Sequence, residues 1–359
     1  MVSIRGVGPV GLVAALGVIV GLACSGSAGE PAAAATRSSR LVVPVTVMGG
    51  QGTAMGARPM VEVRVGRSAP VPLLLDTGST GLQIFAARVR SGPGSGVTAT
   101  TRPDQATYAG GHRLTGVVAT ARIAIGAART VHPVPFGLVQ TATCTPAKPA
   151  CPVAGGVAAA IARGFSGILG IGTGRGPNGL ANPILGMPGR LARSWSLHMH
   201  RDAGSLVLGP LPGGTSGTRV TVPLTSQGTF DGNRFWDARV HLCLVVGPAA
   251  SCAPGLFDSG TFAMQLPGSR FPSAPVLTGT HLVAPGTAVT VTIRGSDAPF
   301  WRFTAGATKS ADTVSIRPEV PRLVNTGIQA FYAFTITYDN VHGTIGFLAP
   351  VPRIRPEVP

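Results

Sequence analysis

Two short segments of the chain share an order of residue types that could do acid–base chemistry. Residues 73–79 are Leu-Leu-Leu-Asp-Thr-Gly-Ser, and residues 255–261 are Gly-Leu-Phe-Asp-Ser-Gly-Thr. An apolar run of this kind predicts a buried strand. A carboxylate at the end of such a strand is costly to bury unless it accepts hydrogen bonds or shares a proton. We therefore expect Asp76 and Asp258 to be presented by two strand ends.

Two carboxyl groups held close together can share one proton, because two like charges at short range cannot both ionise cheaply. The ionised carboxylate can then polarise a water molecule, while the protonated carboxyl donates to a carbonyl oxygen. This combination is general acid–base hydrolysis, which needs neither a metal ion nor a covalent intermediate. We expect no cofactor and no metal site. His198 and His200 fall on one face of a predicted strand, but they lack the third ligand that a metal site would need.

The composition favours an all-β scaffold for these acids. The chain has 359 residues, and its 51 glycines and 32 prolines separate short runs rich in Val, Thr and Leu. A hairpin of strands at residues 60–65 and 71–75 would deliver Asp76, and a second hairpin at residues 107–118 has Gly-Gly at its tip. Further strands are predicted at residues 41–48, 117–125, 195–200, 205–209, 220–224, 236–246, 289–293, 331–338 and 343–348.

The N-terminal 40 residues are predicted to be a signal peptide followed by a linker. A positively charged start precedes an uncharged apolar stretch at residues 6–23, which is typical of an exported protein. Residues 21–24, Gly-Leu-Ala-Cys, are similar to a bacterial lipobox, so Cys24 is a candidate for lipid attachment to the membrane. A cut near residues 32–35 and an uncleaved anchor are the alternatives.

The other four cysteines lie in two close pairs, Cys144 with Cys151 and Cys243 with Cys252. Even, locally paired cysteines in an exported chain predict two disulfides that close short loops. Their spacing is too wide for the Cys-x-x-Cys pattern of a zinc site.

The formal net charge of +16 comes from 29 basic and 13 acidic residues. The basic residues are spread singly along the chain, mostly as Arg, and aromatic residues make up only 5% of it. We therefore expect no nucleic-acid binding. Attraction to an anionic cell envelope and a general bias toward Arg both remain open as reasons for the charge.

The order of these motifs resembles that of the pepsin-like aspartic proteases. Residues 76–79 and 258–261 match the signatures of the family's two lobes, and residues 108–116 resemble its flap, a hairpin that folds over the substrate. Residues 165–170 match the apolar-apolar-Gly element that interlocks with the first signature. The likeness extends over roughly residues 41–350, and it is strongest to bacterial members such as the aspartic-protease domains of mycobacterial PE_PGRS proteins.

This resemblance implies that Asp76 and Asp258 form a catalytic pair that hydrolyses peptide bonds with an activated water. It implies that Gly78 and Gly260 let the substrate backbone approach. The remaining residues of the two signatures would then support the pair. The hydroxyls of Thr77 and Ser259 would tie the two loops together, and those of Ser79 and Thr261 would bond the outer oxygens of the acids.

The resemblance also implies that Tyr108 is the flap tyrosine, with Gly110 and Gly111 at the flap tip. Two positions depart from the family pattern. Gln83 replaces a tryptophan that usually supports the flap tyrosine, and we expect its amide to be able to hydrogen-bond Tyr108. Asn325 begins a segment, Asn-Thr-Gly, where two apolar residues and glycine are expected.

The implied fold is bilobal, with two pseudo-symmetric β-barrel-like lobes and a central cleft. We expect an N-terminal lobe at residues 41–209, a C-terminal lobe at 210–350 and a tail at 351–359. The implied function is that of an exported, monomeric endopeptidase, secreted or attached to the cell envelope, acting on peptide or protein substrates. The alternative is a catalytically silent protein of the same fold that binds a protein or an envelope ligand.

Overall fold

The computed structural model describes residues 40–49, 56–151, 153, 161, 164–210, 219–296, 298–307, 310, 312–318 and 322–349. The predicted signal peptide and linker before residue 40, the lipidation candidate Cys24, most of the predicted lobe boundary and the tail at 351–359 lie outside these residues. No helix among the described residues has the length and apolar character that crossing a membrane requires.

Strands are the main secondary structure of the described residues. The first half contains β1 (Leu41–Met48), β2 (Arg58–Val65), β3 (Val71–Asp76), β4 (Thr80–Phe85), β5 (Val97–Thr107), β6 (His112–Ala121), β7 (Ile123–Ile125), β8 (Ala128–Arg129), β9 (Val134–Cys144), β10 (Gly167–Ile171), β11 (Ser194–Met199) and β12 (Ala203–Leu208). The second half contains β13 (Arg219–Pro223), β14 (Thr225–Phe230), β15 (Asn233–Asp237), β16 (Val240–Val246), β17 (Ala249–Leu256), β18 (Met264–Pro267), β19 (Ala288–Ile293), β20 (Trp301–Thr304), β21 (Val314–Arg317), β22 (Val324–Asn325), β23 (Thr335–Asp339) and β24 (Thr344–Leu348).

Helices in the described residues are short. The α-helix α1 covers Gln329–Ala333, and 3-10 turns cover Ala86–Arg88, Pro177–Gly179, Pro183–Gly186, Gly189–Ala192 and Gly268–Arg270. The predicted strand at residues 331–338 is therefore wrong in its first part, because Phe331 lies in α1 and only β23 is extended. A short apolar run fits a buried helix as well as a buried strand, so periodicity could not separate the two.

Three sheets form the scaffold. A 15-stranded sheet has the order β13-β24-β23-β11-β12-β1-β2-β3-β10-β4-β9-β6-β5, with β7 and β8 added beside β2. A seven-stranded sheet has the order β20-β19-β16-β17-β22-β18-β21, and β14 pairs only with β15. The large sheet includes strands from both halves of the sequence, because β11 of the first half pairs with β23 of the second.

The burial pattern explains why the sequence around the first acid is so apolar. Leu73 and Leu75 point into the main core, whereas Leu74 packs into a smaller cluster on the other face of β3. A strand covered on both faces has no polar side, so three consecutive leucines suit it. The preceding strand, β2, alternates between buried and exposed residues, which confirms the prediction that it is half exposed.

Candidate active site

Each aspartate lies at the end of a strand or just after it, and the two strands have equivalent neighbours in their sheets. Strand β3 ends at Asp76 and pairs in parallel with β10, which in turn pairs antiparallel with β4. Strand β17 ends two residues before Asp258 and pairs in parallel with β22, which pairs antiparallel with β18. The repeated pattern of three strands therefore brings each acid to an equivalent strand end.

Four hydrogen bonds connect the two acid loops. The backbone N–H of Thr77 donates to the hydroxyl of Ser259 (3.1 Å), and the N–H of Ser259 donates to the hydroxyl of Thr77 (2.9 Å). The hydroxyl of Thr77 also donates to the carbonyl of Phe257, and the hydroxyl of Ser259 donates to the carbonyl of Leu75, both at 2.8 Å. The loops are thus tied together through buried groups, in the arrangement that the resemblance implied.

The two carboxyl groups are held by matching donors. Asp76 accepts the N–H of Gly78 on Oδ1 (2.8 Å) and the hydroxyl of Ser79 on Oδ2 (2.5 Å). Asp258 accepts the N–H of Gly260 on Oδ1 and the hydroxyl of Thr261 on Oδ2, both at 2.8 Å. Since each acid is satisfied by its own loop, its orientation is fixed before any ligand binds.

Glycine is required in both loops because each backbone presses against the other acid. A Cβ atom at position 78 would lie 2.4 Å from Cγ of Asp258, and one at position 260 would lie 2.6 Å from Oδ1 of Asp76. Real Cβ atoms essentially never come this close to another atom. The two carboxyl groups therefore face each other across a gap that admits no side chain at these positions.

The environment of Asp76 favours its protonated form. Burial is the largest cause, followed by the negative charge of Asp258, and together they raise the pKa of Asp76 to about 8. A hydrogen bond to Asp258 raises this pKa further, whereas the bonds from Ser79 and Gly78 lower it. Near neutral pH Asp76 can therefore keep its proton, so that the pair includes the protonated carboxyl that general acid–base hydrolysis requires.

Strands β5 and β6 form the predicted hairpin, with Tyr108 at the start of its turn. The N–H of Gly111 donates to the carbonyl of Tyr108 (2.8 Å), and Gly111 adopts a positive φ of 91° that favours glycine. Burial and the charge of Asp76 raise the pKa of Tyr108, and a hydrogen bond with Ser79 opposes this rise. Tyr108 therefore interacts with the loop of the first acid.

His112 packs against Tyr108. Its ring stacks on that of Tyr108, with centroids 4.9 Å apart and planes at 15°. Burial and, secondarily, the positive charge of Arg58 lower the pKa of His112 to about 4. The imidazole is therefore neutral over most of the physiological range.

Gln83 lies in β4 and is almost completely buried, but it does not support the tyrosine as expected. Neither Nε2 nor Oε1 of Gln83 has a hydrogen-bond partner among the described residues. The amide instead lies against β9, where a Cβ atom at position 137 would be 2.1 Å from Oε1 of Gln83 and 2.3 Å from Oδ2 of Asp104. The expected hydrogen bond from Gln83 to Tyr108 is not made.

The two predicted disulfides are both present, Cys144–Cys151 and Cys243–Cys252. Both are consistent with an extracellular protein. The second disulfide joins directly opposed residues of β16 and β17, and so fixes the strand that leads to Asp258.

The first disulfide closes a loop that contacts the flap tip. Within this loop, Nζ of Lys148 donates to the carbonyl of Ala109 (2.7 Å), and the N–H of Thr145 donates to the carbonyl of Gly111 (2.7 Å). The tip is therefore braced from outside by the loop that the disulfide Cys144–Cys151 closes.

Two residues near the acids could not be assigned from the sequence. Arg58, at the start of β2, lies 5.0 Å from the ring centre of Phe262 and interacts electrostatically with both Asp76 and Asp258. Burial lowers the pKa of Arg58, while the two acids act to raise it. Asn325 donates from Nδ2 to Oδ2 of Asp258. Of these two residues, only Asn325 had a signal in the sequence, namely a polar amide at a position where the family pattern has an apolar residue.

No group of three or more His, Cys, Asp or Glu side chains that could hold a metal ion occurs within the described residues.

The comparisons with known proteins agree with this geometry. The aspartic proteinase from Irpex lacteus has a similar structure, with a TM-score of 0.58 and 16% sequence identity over 87% of this chain and 97% of that one. This likeness confirms the predicted all-β, pepsin-like fold. No curated protein matches the chain in sequence. The family model for the PE-PGRS C-terminal aspartyl peptidase-like domain matches residues 41–347, and the chain therefore belongs to that family.

Proposed function

We propose that the protein is an aspartic endopeptidase that hydrolyses peptide bonds with a water molecule activated between Asp76 and Asp258. The observation that carries the proposal is the facing pair of carboxyl groups, each held by its own loop and each pressed against the backbone of the other loop. A binding protein of the same fold has no need to keep two acids buried together at the cost of a raised pKa.

The reaction follows from one proton shared by two carboxyl groups. The ionised carboxylate takes a proton from water as the water oxygen bonds to the peptide carbonyl carbon. The protonated carboxyl donates its proton to the carbonyl oxygen, which gives a tetrahedral diol. The carboxyl that holds the proton then gives it to the amide nitrogen, and the other carboxylate takes a proton from one hydroxyl of the diol. The C–N bond breaks, the carbonyl of the new carboxylic acid forms, and the pair again holds one proton.

Substrates in this proposal are extended peptides that lie between the acids and the flap. Tyr108 and the glycines of the flap tip, Gly110 and Gly111, would cover the peptide, and Gly78 and Gly260 would admit its backbone. Binding across the junction of two lobes, at residues 41–209 and 210–350, would orient the scissile bond over the pair. No nucleic acid enters this scheme, and a single chain supplies both acids.

The test is a cleavage assay on a diverse peptide library between pH 3 and pH 7. Purified mature protein is compared with Asp76→Asn and Asp258→Asn, which preserve the shape of each side chain and remove its acid. We expect cleavage by the wild type and a loss of at least about a thousandfold in each variant, since the two acids act as a unit. Equal cleavage by all three proteins, or none by any, would contradict the proposal and support the silent alternative.

We further propose that the protein is exported and held at the cell envelope by a lipid on Cys24. The apolar segment before Cys24 and the two disulfides support export. Replacing Cys24 by Ser should release the protein into the medium, which fractionation and immunoblotting would measure. An unchanged distribution would rule out the lipid.

A further inference from the structure

Asn325 donates a hydrogen bond to Asp258 from outside the loop that carries this acid. It ends the short strand β22, is only 7% exposed, and directs its Nδ2 to Oδ2 of Asp258. The same nitrogen lies 3.4 Å from the hydroxyl of Thr261, which also donates to Oδ2 of Asp258. The amide thus joins the network that holds the second acid.

The orientation of this amide is determined by its surroundings. Oδ1 of Asn325 accepts the backbone N–H of Gly327 at 2.9 Å, and an NH2 group could not accept that bond. The opposite end of the amide must therefore be the donor that faces Asp258. Further backbone bonds fix the segment, because Thr326 donates to Leu256 (2.9 Å) and Ile328 to Thr261 (2.7 Å).

The strand register identifies the matching residue in the other half. Asn325 pairs with Leu256, two residues before Asp258, and Ile168 pairs with Leu74, two residues before Asp76. Ile168 is buried and has no donor to offer.

The two acids therefore differ in one hydrogen bond. From its own half of the described residues, Asp258 accepts bonds from Gly260, Thr261 and Asn325. Asp76 accepts bonds only from Gly78 and Ser79. Each additional donor favours the charged form of a carboxylate over its protonated form.

We propose that Asn325 is a positioning residue that keeps the negative charge of the pair on Asp258 and leaves the shared proton on Asp76. This assignment rests on the proposed peptidase function for its role in catalysis. Asp258 would then take the proton from water, and Asp76, beneath Tyr108, would protonate the peptide carbonyl oxygen. The raised pKa of Asp76 is consistent with this division of roles.

Of the other charged and titratable groups around the pair, Arg58 and Tyr338 interact with both acids, whereas Tyr108 interacts with Asp76. Arg58 on β2 attracts Asp76 as well as Asp258. Tyr338 on β23 donates to the carbonyl of Phe257, and both acids act to raise its pKa. Tyr108 interacts with Asp76 and stays neutral because burial raises its pKa. Asn325 is the group that distinguishes Asp258.

The test is a titration of the carboxyl carbons by NMR in protein labelled at aspartate Cγ, which needs no substrate. Signals of the pair are assigned with Asp76→Asn and Asp258→Asn. In the wild type the first ionisation should change mainly the Asp258 signal. Asn325→Ile places at this position the residue type that Ile168 has in the other half of the site. In this variant the pH of the first ionisation should rise by about 1 to 2 units. The acidic limb of the cleavage profile should move with it.

Asn325→Ser serves as a second variant, because it shortens the side chain beyond reach of Asp258 if the isoleucine is not tolerated. Gln265→Leu is the matched control, since Gln265 faces Asn325 across the strands and its amide makes no bond to either acid in the described part of the chain. It should titrate like the wild type. A first ionisation at Asp76, or unchanged steps in folded Asn325→Ile or Asn325→Ser, would overturn the assignment. Because the titration reads protons directly, this result is independent of whether the protein cleaves peptides.

Discussion

Thr77 and Ser259, 182 residues apart, each donate a backbone N–H to the hydroxyl of the other. Thr77→Val keeps the shape of the side chain but leaves the N–H of Ser259 without its partner and removes one of the donors to the carbonyl of Phe257. We expect it to lower the free energy of unfolding by about 1–3 kcal/mol, measured by denaturant titration. Ser259→Thr, which keeps the hydroxyl, is the control and should stay near the wild type.

Ser259→Ala should have a similar effect to Thr77→Val, because it removes the other hydroxyl of the same network. The double variant should lose less stability than the sum of the two single losses. Strict additivity would mean that the two hydroxyls do not act as one connection.

Gly78→Ala is expected to reduce peptide cleavage by about a hundredfold with little change in the secondary structure seen by circular dichroism. The new methyl group would displace Asp258, and a shift of about 1 Å in a reacting group costs activity on this scale. Gly174→Ala is the control, since a Cβ atom there would lie 3.4 Å from its nearest neighbour, an ordinary contact. Equal activity of the two variants would argue against the close approach at Gly78.

The raised pKa of Asp76 predicts how stability depends on pH. Between its ordinary value of 3.8 and about 8, the folded chain keeps a proton that the unfolded chain has lost. The stability that this group contributes is therefore complete below pH 3.8 and is lost as the pH rises to about 8. Relative to Asp76→Asn, the free energy of unfolding should fall by up to about 1.4 kcal/mol per pH unit in this window. Chemical denaturation of both proteins from pH 4 to pH 8 measures it, and a rising difference would contradict the assignment.

Gln83→Leu should stabilise the protein or leave its stability unchanged. The wild-type amide is buried without a partner among the described residues, and such a group costs about 1–3 kcal/mol. Thermal unfolding would measure the change. Because Gln83 does not bond Tyr108, the Michaelis constant for peptides should stay within about twofold of the wild type. A large rise would show that Gln83 supports the flap after all.

The sequence was sufficient for features that local patterns encode. Asp76, Asp258 and their neighbours could be identified because apolar runs and small residues mark a strand end and a tight loop. The hairpin carrying Tyr108 followed from its Gly-Gly tip and β-prone arms. Both disulfides followed from cysteine spacing.

Contacts between distant segments could not be derived in this way. Arg58 reaches the acids only because β2 lies beside β3. The donor role of Asn325 depends on the register between β22 and β17, which no local pattern encodes. From its residue type Gln83 was able to hydrogen-bond Tyr108, but its strand position turns the amide toward β9.

Under the proposed function and export, the loop closed by Cys144 and Cys151 has a consequence for when the protein becomes active. Its Lys148 and Thr145 hold the flap tip, and the disulfide keeps them in place. A newly synthesised chain with free thiols has the acids and their loops but not this closed brace. Oxidation on leaving the cytoplasm would then stiffen the lid over the cleft, so that the compartment in which the chain matures also limits where it can hold a peptide for cleavage.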